Sequence, residues 1–296
     1  VSPAGAAQAV EETQIFQRTD THGGVTVSEW VFTFPAVEVG SILEYSYDRH
    51  DNYLAFVRPF FFDGGGFTSR GKVTQALPEE MGYQFLCSRC PPGVQPQIRK
   101  WSDGPNKGKI YEIEILNLPG YEPEMLMPPR GEVSARMEMV LHSWKGFASE
   151  ALGRQDSFFV DWPSAAKHAE YYYEKAAKTG VAELRQAVSG WTEGMVEPEQ
   201  KTRAILRHVQ QDFRYIAWHD VVGSSRPVED LLKDHSADNE EKAVLLHAAL
   251  AAAGIGSRIA LVAGKQLGGF NPGFFGLSQF THAVVVISGA DGSGTW

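Results

Sequence analysis

A helix that could carry a catalytic group at its start is predicted within residues 235–256, which read HSADNEEKAVLLHAALAAAGIG. A polar, acidic lead-in runs into an apolar stretch, and glycines at 254 and 256 end it. Backbone N–H groups at a helix start are unpaired and the helix dipole is positive there, so a cysteine at that point would be a good nucleophile. Position 239 is asparagine, however, and its amide is not a nucleophile at neutral pH.

His282, in the strand-like run THAVVVIS, is the histidine that could act as a base for a group at position 239. A base in a neighbouring strand would take the proton from a nucleophile, and an acid one strand further on would orient it. The structural alternative is a strand histidine that bonds to the backbone. Asn239 also has a structural alternative as a helix cap, a role that suits Asn and Asp.

Asp238 and His219 are further candidates to line the same cleft. The positive end of the helix dipole already favours an acid at a helix start. The negative end favours a cation such as a protonated histidine near a helix end. The acids around position 238 point in different directions at a helix start, so they do not favour a metal site. We expect neither a metal ion nor a cofactor.

Composition and charge exclude several classes of protein. The 296 residues are 43% hydrophobic, which is enough for two domains that each have a core. A formal net charge of −9 gives a nucleic-acid partner no electrostatic support. No apolar run approaches the roughly 20 residues that a transmembrane helix needs.

The two cysteines, Cys87 and Cys90, form a C-x2-C motif with three interpretations. They are two ordinary thiols, a local disulfide in an oxidising compartment, or half of a metal site whose other two ligands are missing. Pro91 and Pro92 disfavour the helix that a thioredoxin-type redox pair requires.

The chain has two halves with different periodicities. Residues 1–143 contain short β-branched and aromatic runs between Gly, Pro and Asp turns, which predicts an all-β sandwich. Its strands are predicted at GVTVSEWVFTF, GSILEYSYDRH, YLAFVRPFFF, KIYEIEIL and VSARMEMVLHS, with a hairpin turn at DGPNKG. Residues 144–296 have helical periodicity followed by strand patterns, which predicts an α+β domain. Its elements are predicted at PSAAKHAEYYYEKAAKTG, VAELRQAVSGW, PEQKTRAILRHVQQDFRYIA, RPVEDLLKDH, the 243–253 run, SRIALVAG and THAVVVIS.

The stretch ADNEEKAVLLHAALAAAGI resembles the segment that opens the central helix in the transglutaminase-like superfamily, whose fold is papain-like. By this resemblance Ala237 stands for the family's glycine, Asp238 for its aspartate and Asn239 for its catalytic cysteine. THAVV is similar to the segment around the family's histidine, which assigns the base position to His282. The family's acid falls in the strand after that histidine, close behind a tryptophan, and the sequence stops at Trp296 without it. KTRAILRHVQQDFRYIA and RPVEDLLKD resemble the family's preceding helix and the lead-in to the nucleophile.

The β half resembles the uncharacterised β-sandwich domain that often precedes transglutaminase-like domains in bacterial proteins, through FPAVEVGSILEYSY and PEMLMPPRGEV. We expect the sandwich to be incomplete at its N-terminus and the α+β domain to be incomplete at its C-terminus. The resemblance implies a location in the bacterial periplasm, cell envelope or exterior.

Taken with Asn239, the resemblance implies a non-catalytic protein, a pseudoenzyme that binds or scaffolds a protein or peptide partner. The alternative is a cysteine protease, amidase or transglutaminase whose nucleophile at position 239 was engineered out. A third interpretation keeps the cleft for binding peptides or glutamine side chains without turnover. Whether the protein is an enzyme stays open at this point.

Overall fold

The computed structural model describes residues 1–22, 25–46, 56–103, 106–120, 124–145, 148–149, 153–154, 159–216, 225–264, 269–288 and 294–295. Residue contacts divide the chain into two units, Val1–Asn52 and Tyr53–Trp296. The predicted domain boundary between residues 143 and 144 lies inside the second unit and stays a prediction.

The first unit contains a β-hairpin, β1 (Phe16–His22) with β2 (Val25–Val31), preceded by a 3-10 turn at Glu12–Gln14. The strand predicted at GSILEYSYDRH is wrong for residues 41–46, which are irregular, and residues 47–50 lie outside the described part. The apolar side chains of this segment are exposed, and in the described structure no neighbouring strand pairs with it. Such a segment buries too little surface to stabilise a strand.

Two three-stranded antiparallel sheets begin the second unit. Their strands are β3 (Phe56–Phe61), β4 (Thr68–Pro78), β5 (Met81–Ser88), β6 (Gln97–Asp103), β7 (Asn106–Leu118) and β8 (Arg136–Trp144). One sheet has the order β3-β8-β5 and the other the order β4-β7-β6. The predicted hairpin at DGPNKG is confirmed, because Asp103 pairs with Asn106 across the turn.

Both sheets supply side chains to one buried cluster, which we call the sheet core. Its members are Phe62, Leu77, Ile113, Ile115, Leu118, Ala135, Met137 and Met139. Of the three consecutive phenylalanines 60–62, Phe62 is 4% exposed and belongs to this core, whereas Phe60 is 38% exposed and does not. Pro59 cannot donate to a strand ladder, and the pairing of β3 with β8 shifts register between Val57 and Phe60.

Helices follow, after a one-turn helix α1 (Arg130–Val133) and two-residue strands β9 (Ala148–Ser149) and β10 (Gly153–Arg154). The long helices are α2 (Trp162–Ala177), α3 (Val181–Trp191), α4 (Pro198–Gln211) and α6 (Asn239–Ala252), with the shorter α5 (Val228–Asp234) before α6. The four long helices were predicted as helices, and α5 lies in RPVEDLLKDH, which was predicted as a short turn or helix. In the described part, none is long and apolar enough to cross a membrane.

The last sheet is antiparallel with the order β13-β14-β15, from β13 (Ser257–Val262), β14 (His282–Ser288) and β15 (Gly294–Thr295). A short 3-10 helix, Leu277–Gln279, precedes β14. Two further short strands, β11 (Arg214–Tyr215) and β12 (Ser236–Ala237), pair in parallel just before α6. The fold is therefore mixed α/β, with several small sheets and six α-helices within the described residues.

The central element of the helical part is α6, which contacts α2, α3, α4, α5, β13 and β14. It is apolar on nearly all sides, the pattern of a helix buried in a core. It belongs to a second cluster, the helix core, which also includes Val140 and Leu141 of β8. Strand β8 therefore contributes to both cores.

Candidate functional site

The start of α6 is fixed by a reciprocal pair of hydrogen bonds between Asp238 and Glu241. The Glu241 backbone N–H donates to Asp238 Oδ1 (2.9 Å), and the Asp238 N–H donates to Glu241 Oε2 (2.9 Å). Asp238 is therefore the cap, and the alternative that made Asn239 the cap is wrong by one residue. The reason is the spacing: Glu241 lies three residues after Asp238, whereas Lys242, three residues after Asn239, cannot accept a hydrogen bond.

The side chain of Asn239 connects α6 to β14. Its Oδ1 accepts a hydrogen bond of 2.7 Å from the backbone N–H of Ala283. Ala283 is 4% exposed and directly follows His282. The residue at the predicted nucleophile position thus lies beside the start of the strand that carries the predicted base, and its amide oxygen is engaged in a structural bond.

His282 is exposed at the start of β14, where it pairs in register with Val262 of β13. Its Nδ1 lies 2.7 Å from Thr281 Oγ1. Successive strand residues face opposite sides, so His282 and the buried Ala283 point apart. In the described structure no hydrogen bond joins the side chains of Asn239 and His282. Their assignment as nucleophile and base positions stays a prediction.

Of the two other predicted cleft residues, His219 lies outside the described residues, as does its neighbour Asp220. Asp238 is buried, and this burial raises the pKa of its carboxyl to about 6. The nearby negative charge of Glu241 raises it further, while the backbone N–H of Glu241 opposes the shift.

An ion-pair network that the sequence did not predict holds the segment before α6. Arg226 binds Glu241 through two bonds, Nε to Oε1 (2.6 Å) and Nη2 to Oε2 (3.0 Å). It also donates to Asp234 Oδ2 (2.9 Å) and to the backbone oxygen of Ser236 (2.8 Å). The only sequence signal was an arginine ahead of the acids at 234–241. The network neutralises the buried carboxylate of Glu241, whose side chain is 6% exposed.

A second buried acid, Glu240, accepts a hydrogen bond of 3.0 Å from the hydroxyl of Tyr173. Both residues are less than 10% exposed. Tyr172, the neighbour of Tyr173, is by contrast 38% exposed. The contact links α2 to the first turn of α6, next to Asn239, and no sequence pattern predicted it.

An aromatic cluster supports the segment that leads into His282. The Trp162 ring lies 5.3–5.7 Å from the rings of Phe270, Phe275 and Phe280, and its Nε1 donates to Pro272 O (2.9 Å). Phe270 remains 48% exposed. The cluster holds this segment against the start of α2, so the position of His282 depends on packing as well as on the sheet.

Of the three interpretations of the C-x2-C motif, the structure has the disulfide: Cys87 and Cys90 are bonded, with their Cα atoms 5.7 Å apart. Neither of the chain's two cysteines is therefore a free thiol. Within the described ranges, no group of three or more His, Cys, Asp or Glu side chains is arranged to hold a metal ion.

No protein-family model and no curated protein matches the sequence. A crystal structure from Parabacteroides distasonis, described as a "putative protease", matches with a TM-score of 0.73 at 16% identity and covers 99% of this chain and 54% of that one. The chain thus spans about half the length of that protein. A "putative cysteine protease" from Cytophaga hutchinsonii has a TM-score of 0.31 at 9% identity over 78% of this chain and 66% of that one. The first match shows that the chain shares the mixed α/β fold of that structure.

Proposed function

We propose that the protein is a transglutaminase-like chain with a papain-like fold that has no acyl-transfer activity and acts by binding a protein or peptide. The observation that carries this proposal is the hydrogen bond between Asn239 Oδ1 and the Ala283 N–H. At the position where the resemblance expects a thiolate, the side chain cannot attack a carbonyl, and its oxygen links a helix to a strand. The fold is stabilised by the residue that replaced the nucleophile.

Two further observations support the rest of the proposal. Two antiparallel sheets share the sheet core, the packing expected of the proposed β-sandwich. The Cys87–Cys90 disulfide favours an oxidising compartment, in line with the proposed location in the bacterial periplasm, cell envelope or exterior.

The second candidate function is an acyl-transfer enzyme, a cysteine protease, amidase or transglutaminase, whose nucleophile was replaced at position 239. The capped start of α6 favours it, because a helix start lowers the pKa of a thiol placed there. The placement of residue 239 beside the backbone of β14, one residue from His282, also favours it.

Alkylation of an introduced thiol separates the two candidates. Asn239→Cys would be treated with iodoacetamide across pH, alone and together with His282→Ala. Because Cys87 and Cys90 are bonded to each other, the new thiol is the only free one. Val181→Cys is the matched control, since Val181 is the first residue of α3 and tests the effect of a helix start alone.

The second candidate, an acyl-transfer enzyme, predicts a thiol pKa at position 239 well below the ordinary ~8.5 and below that of the control, and it predicts a rise when His282 is lost. A site that serves only structure and binding predicts equal values at positions 239 and 181, with no dependence on His282. Hydrolysis of a peptide or glutamine-containing substrate by the unaltered protein would overturn the proposal of a non-catalytic role.

A further inference from the structure

A cavity of about 290 Å³ lies among α3, α4 and α5, formed by residues distinct from those around Asn239 and His282. Its lining consists of Glu183, Ala187, Trp191, Asp212, Phe213, Leu232 and His235. This volume is at the lower end of the range for small-molecule sites, and it suits one side chain or a small ligand.

The lining combines an apolar interior with an acidic edge. Phe213 is 1% exposed, and Ala187, Trp191 and Leu232 are partly buried, whereas Glu183 and Asp212 are exposed. None of the seven lining residues is Lys or Arg, and Glu183 has no ion-pair partner in the described structure. A cavity with apolar walls and two exposed carboxylates in its lining matches a ligand with an alkyl stem and a cationic head.

Two histidines hold the walls of this cavity in place. The ring of His208 stacks on Trp191 with centroids 5.0 Å apart at 11°, and its Nδ1 lies 2.6 Å from Asp212 Oδ2. The ring of His235 stacks on Phe213 with centroids 5.3 Å apart. His208 thus contacts both the indole ring of Trp191 and the carboxylate of Asp212. The walls are pre-organised, which reduces the entropy lost when a ligand binds.

We propose that this cavity binds a lysine or arginine side chain of a peptide partner. The alkyl stem lies against Trp191 and Leu232, and the cationic head lies at Glu183 and Asp212. Lysine and arginine stems pack along apolar surface while their charged ends stay at a polar edge. The chain's net charge of −9 attracts basic peptides. The proposal rests on the proposed function for its peptide partner, but the cavity lining does not include Asn239 or His282, so its failure is distinguishable from a failure of the non-catalytic role.

The test is a titration with Nα-acetyl-lysine-N-methylamide, followed through the indole N–H signal of Trp191 in two-dimensional NMR spectra. Trp191→Phe identifies that signal among the seven tryptophans of the chain. We expect saturable binding at one site, with the uncharged norleucine analogue binding at least about tenfold more weakly. Cadaverine is titrated in parallel: equal or tighter binding of this free diamine would overturn the assignment to a peptide side chain.

Glu183→Gln removes one carboxylate without disturbing a described contact, so it is the variant of choice. We expect its dissociation constant for the lysine probe to rise about three- to tenfold. Glu170→Gln, which changes an exposed acid of α2 outside the lining, is the matched control and should leave the constant unchanged. Equal binding of the lysine and norleucine probes, an unchanged constant in Glu183→Gln, or the absence of saturation would each overturn the proposal.

Discussion

Asn239→Ala should destabilise the protein, although alanine is the better helix former. The substitution removes the acceptor for the Ala283 N–H, which is 2.7 Å from Oδ1 on a residue that is 4% exposed. A buried donor left without a partner costs about 1–3 kcal/mol. Alanine recovers roughly 0.5 kcal/mol through its helix propensity. The expected net loss of unfolding free energy is therefore about 0.5–2.5 kcal/mol.

Urea unfolding at fixed pH measures this loss, and amide hydrogen exchange locates it. The Ala283 amide should exchange faster in the variant, while the amides of α3 keep their protection. Asn239→Asp is the matched control: it keeps an acceptor at the same place, and the positive end of the α6 dipole, worth about 0.3–1 kcal/mol, offsets the repulsion of its charge by Asp238, Glu240 and Glu241. It should stay close to the unaltered protein in stability.

An Asn239→Ala protein that unfolds at the same urea concentration, with unchanged exchange at Ala283, would contradict this reasoning. It would mean that water or a small backbone shift satisfies the amide, and that Asn239 does not hold α6 to β14. A loss of equal size in Asn239→Asp would also contradict it, because the acceptor would then not be the cause.

Arg226→Met should cost about 2–4 kcal/mol in urea unfolding, since Glu241 loses its partner in a largely buried pair, whereas exposed Arg203→Met should cost under about 0.5 kcal/mol. Equal losses of unfolding free energy in the two variants would refute the idea that burial makes the Arg226–Glu241 pair the more important one. Burial lowers the pKa of His168 from 6.5 to about 4. As pH falls through this range, the unfolded chain therefore binds a proton at His168 before the folded chain does. About 3 kcal/mol of stability should be lost as pH falls from 6.5 to 4, and His168→Phe should lack this slope. Asp238 should give a pH dependence of the opposite sign, because its pKa is raised to about 6 in the folded chain. The folded chain holds this proton up to a higher pH than the unfolded chain does, so stability falls as pH rises from 3.8 to 6. Asp238→Asn keeps a capping side chain and should remove that slope, which stability curves between pH 3.5 and 7 would show.

Local signals in the sequence were sufficient to predict most of the helices. The α3 prediction has the observed bounds, Val181–Trp191, and Pro198 is the first residue of α4, as its missing N–H favours. The run after position 242, which is apolar except for His247, predicted a buried helix, which α6 is. These features depend on residues a few positions apart, which periodicity and turn chemistry report directly.

The contacts that build the site join residues far apart in sequence, and no periodic pattern records them. Glu240 meets Tyr173 across 67 positions, and Asn239 meets Ala283 across 44. The neighbourhood of positions 239 and 282 was predicted from the order of the elements and from the family resemblance, not from a periodic pattern. The failed strand prediction at residues 41–46 has a related cause, since a strand needs a partner that its own sequence does not specify.

Strand β8 has a consequence for how the protein unfolds. Met137 and Met139 belong to the sheet core and Val140 and Leu141 to the helix core, so one strand is shared by both. Unfolding β8 would remove contacts from both cores at once. Unfolding of the sheets without the helices, or of the helices without the sheets, therefore has a high free energy. Residues 56–288 should therefore lose structure in a single cooperative transition, and the β8 amides should open only with the free energy of global unfolding.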